Sequence, residues 1–222
     1  MTRTMTPRTM TPVRQRTPSA EIEDAVVEAA LRLLAASGPA SLTVRGLAAE
    51  ADIAPMGIYN HFGDKNGVID AVFRRGFEAL TEAVAVADAI PDPLEALRAG
   101  LEGYRQFALG HRTTYAVMFL REVPGFIPTE ESLVVAVESF AVLVRSIERG
   151  MHSGDLRSGD VQSIAQQLWS AAHGAVSLEL AEMCLVDDVA GTYRSLVDTM
   201  IDGSGRIRAE AAGRAAPRAR AR

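Results

Sequence analysis

The stretch from Thr43 to Lys65 reads TVRGLAAEADIAPMGIYNHFGDK and concentrates side chains that donate hydrogen bonds. A threonine hydroxyl, a tyrosine phenol, an imidazole and the only lysine of the chain are suited to binding phosphate oxygens. Asparagine can pair with adenine through two hydrogen bonds, and an exposed methionine can contact a thymine methyl group. These residue types together indicate a surface that binds nucleic acid.

Two short helices separated by a tight turn are predicted to hold these side chains in place. Thr43 suits the N-cap of the first helix, and Pro55 suits the first position of the second. Many helix-turn-helix motifs have glycine at the position of Asp52, because the backbone there is left-handed. Aspartate tolerates that conformation better than most residues other than glycine, at some energetic cost. Small and apolar residues can pack the two helices across each other; they are Leu47, Ala48, Ala51, Ile53, Ile58 and Phe62. This pattern predicts a helix-turn-helix motif.

The segment LTVRGLAAEADIAPMGIYNHFGDKNGVIDAV resembles the DNA-binding domain of the tetracycline-repressor (TetR) family. The resemblance rests on the Leu-Thr-x-Arg-x-Leu-Ala opening, the Tyr-x-His-Phe ending and the Gly-Asp-Lys that follows, and it covers residues 20–75. It implies that the phosphate backbone is held by Thr43, Arg45, Tyr59, His61 and Lys65. It further implies that the residues facing base edges in the major groove are Pro55, Met56, Gly57 and Asn60. Asn60 is the main candidate for reading the base sequence.

The whole sequence favours an all-α protein. Of its 222 residues, 48% are hydrophobic, which is enough for a packed core, and only 5% are aromatic. Apolar residues recur at intervals of three and four, whereas alternating runs of β-branched residues are nearly absent. We predict about nine helices. The resemblance implies that they form an N-terminal three-helix DNA-binding domain and a C-terminal helical domain for ligand binding and dimerisation.

Capping residues, glycines and prolines predict the helix boundaries. The first helix should follow Ser19 as its N-cap and stop at Gly38-Pro39, whereas Asp64 and Asp92 should cap the fourth and fifth helices. The fifth helix is predicted to end near residue 110. Further helical segments are predicted over residues 112–123, 129–148, 160–184 and 189–201, with Gly150 closing the long helix that Thr129 opens.

Charge and composition divide the chain into four predicted segments. They are a disordered basic tail at 1–18, the helix-turn-helix domain at 19–66, the regulatory and dimerisation domain at 67–203, and a disordered arginine-rich tail at 204–222. The formal net charge is -5, although both tails are basic. Such tails could contact nucleic acid, or they could only increase solubility, and the sequence leaves both interpretations open.

Cysteine and histidine usage limits the possible chemistry and compartment. The single cysteine, Cys184, excludes an intramolecular disulfide, and the four histidines lack the spacing of a zinc site, so we expect no metal and no cofactor. The N-terminus has no apolar signal segment, and no apolar run is long enough to span a membrane. We therefore predict a cytoplasmic protein without membrane contact.

The C-terminal region contains a group of aromatic, methionine and histidine residues that could line a site for a small ligand. The candidates are Tyr104, Phe107, His111, Tyr115, Met118, Phe119, Trp169 and His173. Residues at this helical spacing could equally form ordinary core, and no pair among them indicates a ligand class. The run from Leu168 to Gly174 resembles a TetR subgroup whose C-terminal domain is marked by Trp, His and Gly at this spacing.

The resemblance implies a homodimer that binds a palindromic, double-stranded operator and is released by a small, largely apolar effector. The helices near 160–184 and 189–201 would pair with their symmetry mates, although their apolar residues could instead be buried within one chain. A ligand-independent DNA-binding protein is the main alternative. A helical enzyme is disfavoured, because the sequence has no Ser-His-Asp arrangement in a suitable context and no glycine-rich phosphate loop.

Overall fold

The computed structural model describes residues 19–204; the predicted tail at 1–18 and residues 205–222 of the predicted C-terminal tail lie outside this range. The described residues form nine α-helices and two short 3-10 segments without a β-strand, which confirms the all-α prediction. The chain divides into two compact units between Val68 and Ile69, within the fourth helix. Across the described range, no helix combines the length and the apolar character that a membrane span requires.

The first unit contains α1 (Ser19–Ser37), a 3-10 segment (Pro39–Ser41), α2 (Val44–Glu50), α3 (Pro55–Phe62) and the start of α4 (Lys65–Val84). Helices α1, α2 and α3 pack against one another. Their shared core includes Val26, Ala30, Leu47 and Ile58, each completely excluded from solvent. Because α2 and α3 have only seven and eight residues, this burial stabilises them more than their own helix propensity does.

The predicted helix cap, turn conformation and helix end of the first unit are confirmed. The Thr43 hydroxyl accepts a hydrogen bond from the Gly46 amide at 3.0 Å and so caps α2. Asp52 adopts the left-handed conformation with φ of 53°. Gly63, with φ of 76°, ends α3, where a side chain would be strained.

The second unit contains most of α4, a 3-10 segment (Ala85–Ala89), α5 (Pro93–Gly110), α6 (Arg112–Phe119), α7 (Glu130–Ser153), α8 (Val161–Leu180) and α9 (Val189–Ser204). The predicted cap at Asp92 is confirmed, and α7 and α8 begin after Thr129 and Asp160 in the same way. Each of the three side chains accepts a hydrogen bond from an amide in the first turn of its helix. Helix α5 packs against α7, α8 and α9 and therefore forms the centre of this unit.

Two polar clusters join helices within the second unit. The Asp70 carboxylate on α4 accepts hydrogen bonds from the amide and hydroxyl of Thr129 and from the Ser132 hydroxyl, at 2.8 to 2.9 Å. Arg105 on α5 is 6% exposed and donates two hydrogen bonds to the Glu179 carboxylate on α8, at 2.6 and 2.8 Å. The first cluster anchors the start of α7 to α4, and the second anchors α5 to α8.

The prediction that Gly150 closes the long helix was wrong. Helix α7 continues through Ser153 and ends at Gly154, which adopts the left-handed conformation. Gly150 is buried, and a Cβ atom there would lie 2.8 Å from Cδ1 of Leu156. This glycine therefore allows the close approach of Leu156 from the following loop, which a sequence pattern cannot distinguish from a helix stop.

Two helices end earlier than predicted, and two others extend beyond their predicted bounds. The segment predicted over 112–123 is helical only to Phe119, and the one predicted to reach Cys184 ends at Leu180. Arg121 and Glu182, with φ of 53° and 57°, turn the chain out of these two helices without a glycine, so no glycine marked either end. In addition, α1 includes Ser19, and α9 continues to Ser204 beyond the predicted residue 201.

Candidate DNA interface and ligand cavity

Most of the predicted DNA-contacting residues lie on the solvent-exposed surface of α2, α3 and the start of α4. The exposed members are Thr43, Arg45, Pro55, Met56, Tyr59, Asn60, His61 and Lys65. Met56 is 64% exposed and Tyr59 is 52% exposed. Both of these large side chains therefore lie in solvent on α3.

Gly57 is the exception, because it is half-buried. A Cβ atom at this position would lie 3.1 Å from Cδ1 of Ile53 in the turn. The missing side chain therefore lets α3 pack closely on the turn. This packing by itself explains why glycine suits position 57, independently of any approach of its backbone to a base.

Two of the predicted phosphate donors are oriented by hydrogen bonds within the first unit. The Thr43 hydroxyl uses a lone pair to cap α2, so its own proton is still available to a phosphate oxygen. Nδ1 of His61 lies 3.2 Å from the Ser19 hydroxyl. With serine as the donor, His61 carries its proton on Nε2 and can donate it outward. Sequence reasoning assigned Ser19 only to the cap of α1, and nothing in the sequence links it to residue 61.

Lys65 is exposed in the first turn of α4, next to the capping residue Asp64. The Asp64 carboxylate accepts hydrogen bonds from the amides of Asn66 and Gly67 at 2.7 and 3.0 Å. This carboxylate already occupies the amides that an anion would otherwise bind. An anion near Lys65 would therefore be held by the lysine ammonium group more than by the helix terminus.

The second unit encloses a cavity of about 470 Å³ between α4, α5, α6, α7 and α8. Its wall is almost entirely apolar and contains the aromatic side chains of Phe77, Tyr104, Phe119, Phe140 and Trp169. Volumes of this order are typical of small-molecule sites. The cavity is open along α7, where the lining residues Leu133 and Val137 are 47% and 66% exposed.

Three of the eight predicted pocket residues, Tyr104, Phe119 and Trp169, line this cavity. Tyr115 is fully buried, and both it and His173 contact Tyr104. The other three candidates, Phe107, His111 and Met118, also lie outside the lining.

Phe107 stacks on His111, whose Nδ1 lies 3.0 Å from the Phe107 carbonyl oxygen. Met118 is buried, and a Cβ atom on Gly76 would lie 2.5 Å from its sulfur. Sequence reasoning missed the contribution of α7, including Leu133, Val137 and Phe140. The only signal was the apolar periodicity of that helix, which is typical of ordinary core as well.

Tyr104, Tyr115 and His173 form a compact triangle of polar atoms. The two hydroxyl oxygens are 2.9 Å apart, and they lie 2.9 and 2.7 Å from Nδ1 of His173. Burial raises the pKa of both tyrosines, so both hydroxyl groups keep their protons. Since a neutral imidazole nitrogen either donates or accepts one hydrogen bond, only two of the three contacts can be hydrogen bonds at one time.

Burial lowers the pKa of His173 below its usual value of 6.5. At a pH between 6.5 and the lowered pKa of the folded state, His173 binds a proton in the unfolded chain but not in the folded chain. The free energy of unfolding should therefore fall as the pH falls below about 6.5. We expect the stability difference between the unaltered protein and His173→Gln to shrink between pH 7.5 and pH 5.5. Urea unfolding at the two pH values, followed through Trp169 fluorescence, measures this difference. A difference that stays constant or grows would contradict the expectation, and His111→Gln provides a control at an exposed histidine.

Two family models match the chain, and together they cover most of it. Residues 26–72 match the model described as bacterial regulatory proteins, tetR family. Residues 97–200 match the model described as tetracyclin repressor-like, C-terminal domain. The first match contains α2 and α3 with their exposed side chains, and the second contains most of α5 and all of α6, α7 and α8, which contribute to the cavity wall.

Relatives and solved structures agree with these matches. The HTH-type transcriptional regulator Rv1816 of Mycobacterium tuberculosis (strain ATCC 25618 / H37Rv) is 23% identical over 75% of this chain and 84% of its own length. A structure of a protein with unknown function from Rhodococcus sp. RHA1 superposes with a TM-score of 0.76 at 24% identity, covering 89% of this chain and 100% of that one. The TetR family transcriptional regulator PfmR from Thermus thermophilus superposes with a TM-score of 0.62 at 19% identity, covering 82% and 99%. The chain therefore belongs to the TetR family of bacterial regulatory proteins.

Proposed function

We propose that this TetR-family, DNA-binding transcriptional regulator is a repressor that binds a palindromic operator as a homodimer and is released by a small, largely apolar effector. The observation that carries the proposal is the presence of two separate features in one chain. One is the exposed donor surface of the helix-turn-helix, and the other is the apolar cavity in the second unit. Membership of a family of regulatory proteins excludes the alternative of a helical enzyme.

The proposed DNA contacts follow from the chemistry of the exposed side chains. Tyr59, His61 and Lys65 can each donate a hydrogen bond to phosphate, and Thr43 and Arg45 can do so from the start of α2. Asn60 and Met56 can reach base edges from the exposed face of α3. Phosphate contacts would place α3 in the major groove, whereas Asn60 would supply most of the sequence preference.

Dimerisation is proposed through α8 and α9. The apolar residues that predicted this contact largely pack within one chain: Ile164, Leu168, Ala172, Val176, Tyr193 and Val197 are all buried. The opposite faces of these helices present small and polar residues to solvent, including Gly174 on α8 and Thr199 on α9. Small residues allow two helix pairs to approach closely, so we assign the dimer contact to these outer faces.

Release by an effector is proposed as a shift between two populated states. An occupant of the cavity contacts α4 through Phe77 and Leu80 and contacts α7 through Leu133 and Val137. The hydrogen bonds from Thr129 and Ser132 to Asp70 tie the start of α7 to α4, which begins at Lys65. A change in the cavity would therefore reach the helix that carries a proposed phosphate contact.

The experiment that tests this function is an operator selection from random duplex DNA with the full chain, followed by fluorescence anisotropy. We expect a palindromic consensus, two chains per operator, and affinity that weakens steeply with salt because bound cations are released from the phosphates. Tyr59→Ala should weaken binding to all sequences by about tenfold or more, whereas Asn60→Ala should relax preference at one base position in each half-site. Failure to select any sequence, or binding that is insensitive to salt, would overturn the proposal.

The alternative of a ligand-independent regulator is tested separately. A thermal-shift screen of apolar compounds should find molecules that raise the melting temperature of the full chain, because a ligand that binds only the folded state stabilises it. The same compounds should weaken operator binding. Normal operator binding with no stabilising compound would favour the ligand-independent alternative.

The assignment of the C-terminal region to the subgroup marked by Trp169, His173 and Gly174 is part of this proposal. Its support is that Trp169 lines the cavity and His173 packs directly against Trp169, with ring centroids 5.7 Å apart.

A further inference from the structure

We infer that the occupant of the cavity is an uncharged, hydrocarbon-rich molecule, and that ionised amphiphiles with the same carbon skeleton bind much more weakly. This inference rests on the proposed function, because it takes the cavity in the second unit to be the effector site. It adds the chemical class of the effector, which the family match does not supply.

The wall of the cavity contains no charged side chain. Its polar side chains are confined to Tyr104, Ser139, Ser146, Gln166 and Trp169, and the rest of the lining is alanine, glycine, aliphatic or phenylalanine. An ion that enters such a cavity loses its hydration and finds no opposite charge in return. Hydrocarbon, in contrast, gains from leaving water in proportion to the area that is buried.

Most of the polar lining groups are already bound to other groups of the protein. The hydroxyl groups of Ser139 and Ser146 donate to the carbonyl oxygens of Ala136 and Val142 in the preceding turn of α7, at 2.8 and 3.2 Å. The Gln166 amide donates to the Ser170 hydroxyl at 3.0 Å. Tyr104 belongs to the triangle with Tyr115 and His173. The wall therefore offers few hydrogen-bonding groups that could replace the water around an ionised head group.

The arginines of the lining helices α5 and α7 are also engaged. On α5, Arg105 is paired with Glu179, and Arg98 is paired with Asp198 at 2.7 Å and with Glu95 at 3.0 Å. On α7, Arg145 pairs with Asp88 at 2.9 Å.

Arg149, also on α7, donates to the carbonyl oxygens of Ala87 and Ile90. A carboxylate in the cavity would have to break one of these interactions to pair with an arginine of α5 or α7. The exposed Glu138 lies on α7 between two lining residues and could attract a cation from solvent, so an ammonium head group is the more demanding test.

The single tryptophan of the chain makes a direct measurement possible. Trp169 lines the cavity, so its fluorescence in the full chain reports occupancy without DNA. The probes are 1-decanol, decanoate and decylammonium, which share a ten-carbon chain and differ in head-group charge at pH 7.5. We expect decanol to change the emission of Trp169 and to bind about tenfold or more tightly than either ion. An ion must either be buried without a partner or keep its head group in water at the opening along α7 and bury less of its hydrocarbon chain. Equal or tighter binding of decanoate or decylammonium would overturn the inference.

A charge introduced at the edge of the cavity should reverse this preference. Gln166 is an exposed lining residue, so Gln166→Arg should fold normally and should strengthen decanoate binding by about tenfold or more through a new ion pair. Gln162→Arg, at an exposed position of α8 outside the lining, is the matched control and should leave all three affinities unchanged. If Gln166→Arg left decanoate binding unchanged, that result would count against placing the decanoate head group at this wall.

The outcomes separate this inference from the proposed function. Comparable binding of all three probes would overturn only the inference that the occupant is uncharged, and the cavity would remain a ligand site. A Trp169 signal that no probe changes, with normal operator binding, would overturn both the effector site and the inference. Ala136→Phe, which narrows the cavity from α7, should weaken decanol binding if the signal comes from this site.

Discussion

Arg105→Leu is expected to destabilise the second unit by about 3–5 kcal/mol, the range typical of breaking a buried ion pair. Arg105 and Glu179 have side-chain exposures of only 7% and 16%, and their two hydrogen bonds are 2.6 and 2.8 Å long. Removing the guanidinium group would leave the Glu179 carboxylate poorly hydrated. It would also remove the 3.4 Å contact to Glu102, whose second carboxylate oxygen is buried without a hydrogen-bond partner. Urea unfolding followed through Trp169 fluorescence measures the change in the second unit.

Two comparisons make this prediction specific to the buried pair. Arg98→Leu breaks an arginine pair whose side chains are 35% to 63% exposed and should cost at most about 1 kcal/mol. Replacing both partners, as in Arg105→Leu with Glu179→Leu, should restore much of the lost stability, because no unpaired carboxylate is left at position 179. If Arg105→Leu were no more harmful than Arg98→Leu, the pair would not have the energetic role that its burial indicates.

Gly67→Ala is expected to destabilise the first unit by about 1–3 kcal/mol, as for an overpacked core, and to reduce operator affinity by at least about tenfold. A Cβ atom on Gly67 would overlap the carbonyl oxygen of Phe62 and lie 2.9 Å from its carbonyl carbon. Both of these are backbone atoms at the end of α3, so no side-chain rotation can relieve the overlap. The first turn of α4 would have to move away from α3 and would displace Lys65 relative to Tyr59. Circular dichroism on heating and anisotropy with the selected operator measure the two effects.

Gly110→Ala is the control for the loss of a glycine. It replaces an exposed helical glycine whose Cβ atom would have nothing within 4 Å, so it should leave stability unchanged or slightly raise it. If Gly67→Ala left both the melting temperature and operator binding unaltered, α3 and α4 would be able to move apart at this point without loss of stability or affinity. Reduced operator binding with unaltered melting would instead identify Gly67 as important only for positioning α3.

The helix-turn-helix was predictable because its determinants are local. Thr43 caps the helix that begins at the next residue, Asp52 tolerates the left-handed turn, and Pro55 starts the next helix, each through interactions within one turn of chain. The period of apolar residues then placed Leu47 and Ile58 inside and Tyr59 and Asn60 outside.

The cavity was only partly predictable, because its wall is assembled from helices that are distant in the sequence. Apolar spacing identified Phe119 and Trp169 as inward-facing but could not distinguish a packed core from an open space. That difference depends on how far apart α4, α5 and α7 lie, and this distance is set by contacts such as those of Asp70 with Thr129 and Ser132. The ion pairs that engage Arg105 and Arg145 also join residues far apart in the chain.

The amino-acid sequence by itself determined the helical class, the family and the DNA-facing motif of this protein, since helix periodicity, capping and turn conformation act over a few residues. Tertiary structure decided what the glycines and the buried polar groups do. Gly150 proved to be a packing contact instead of a helix stop, and Arg105 proved to be half of a buried ion pair. The physical reason is that packing and desolvation depend on which atoms from distant segments lie within a few ångströms, and the order of residues along one helix does not contain that information.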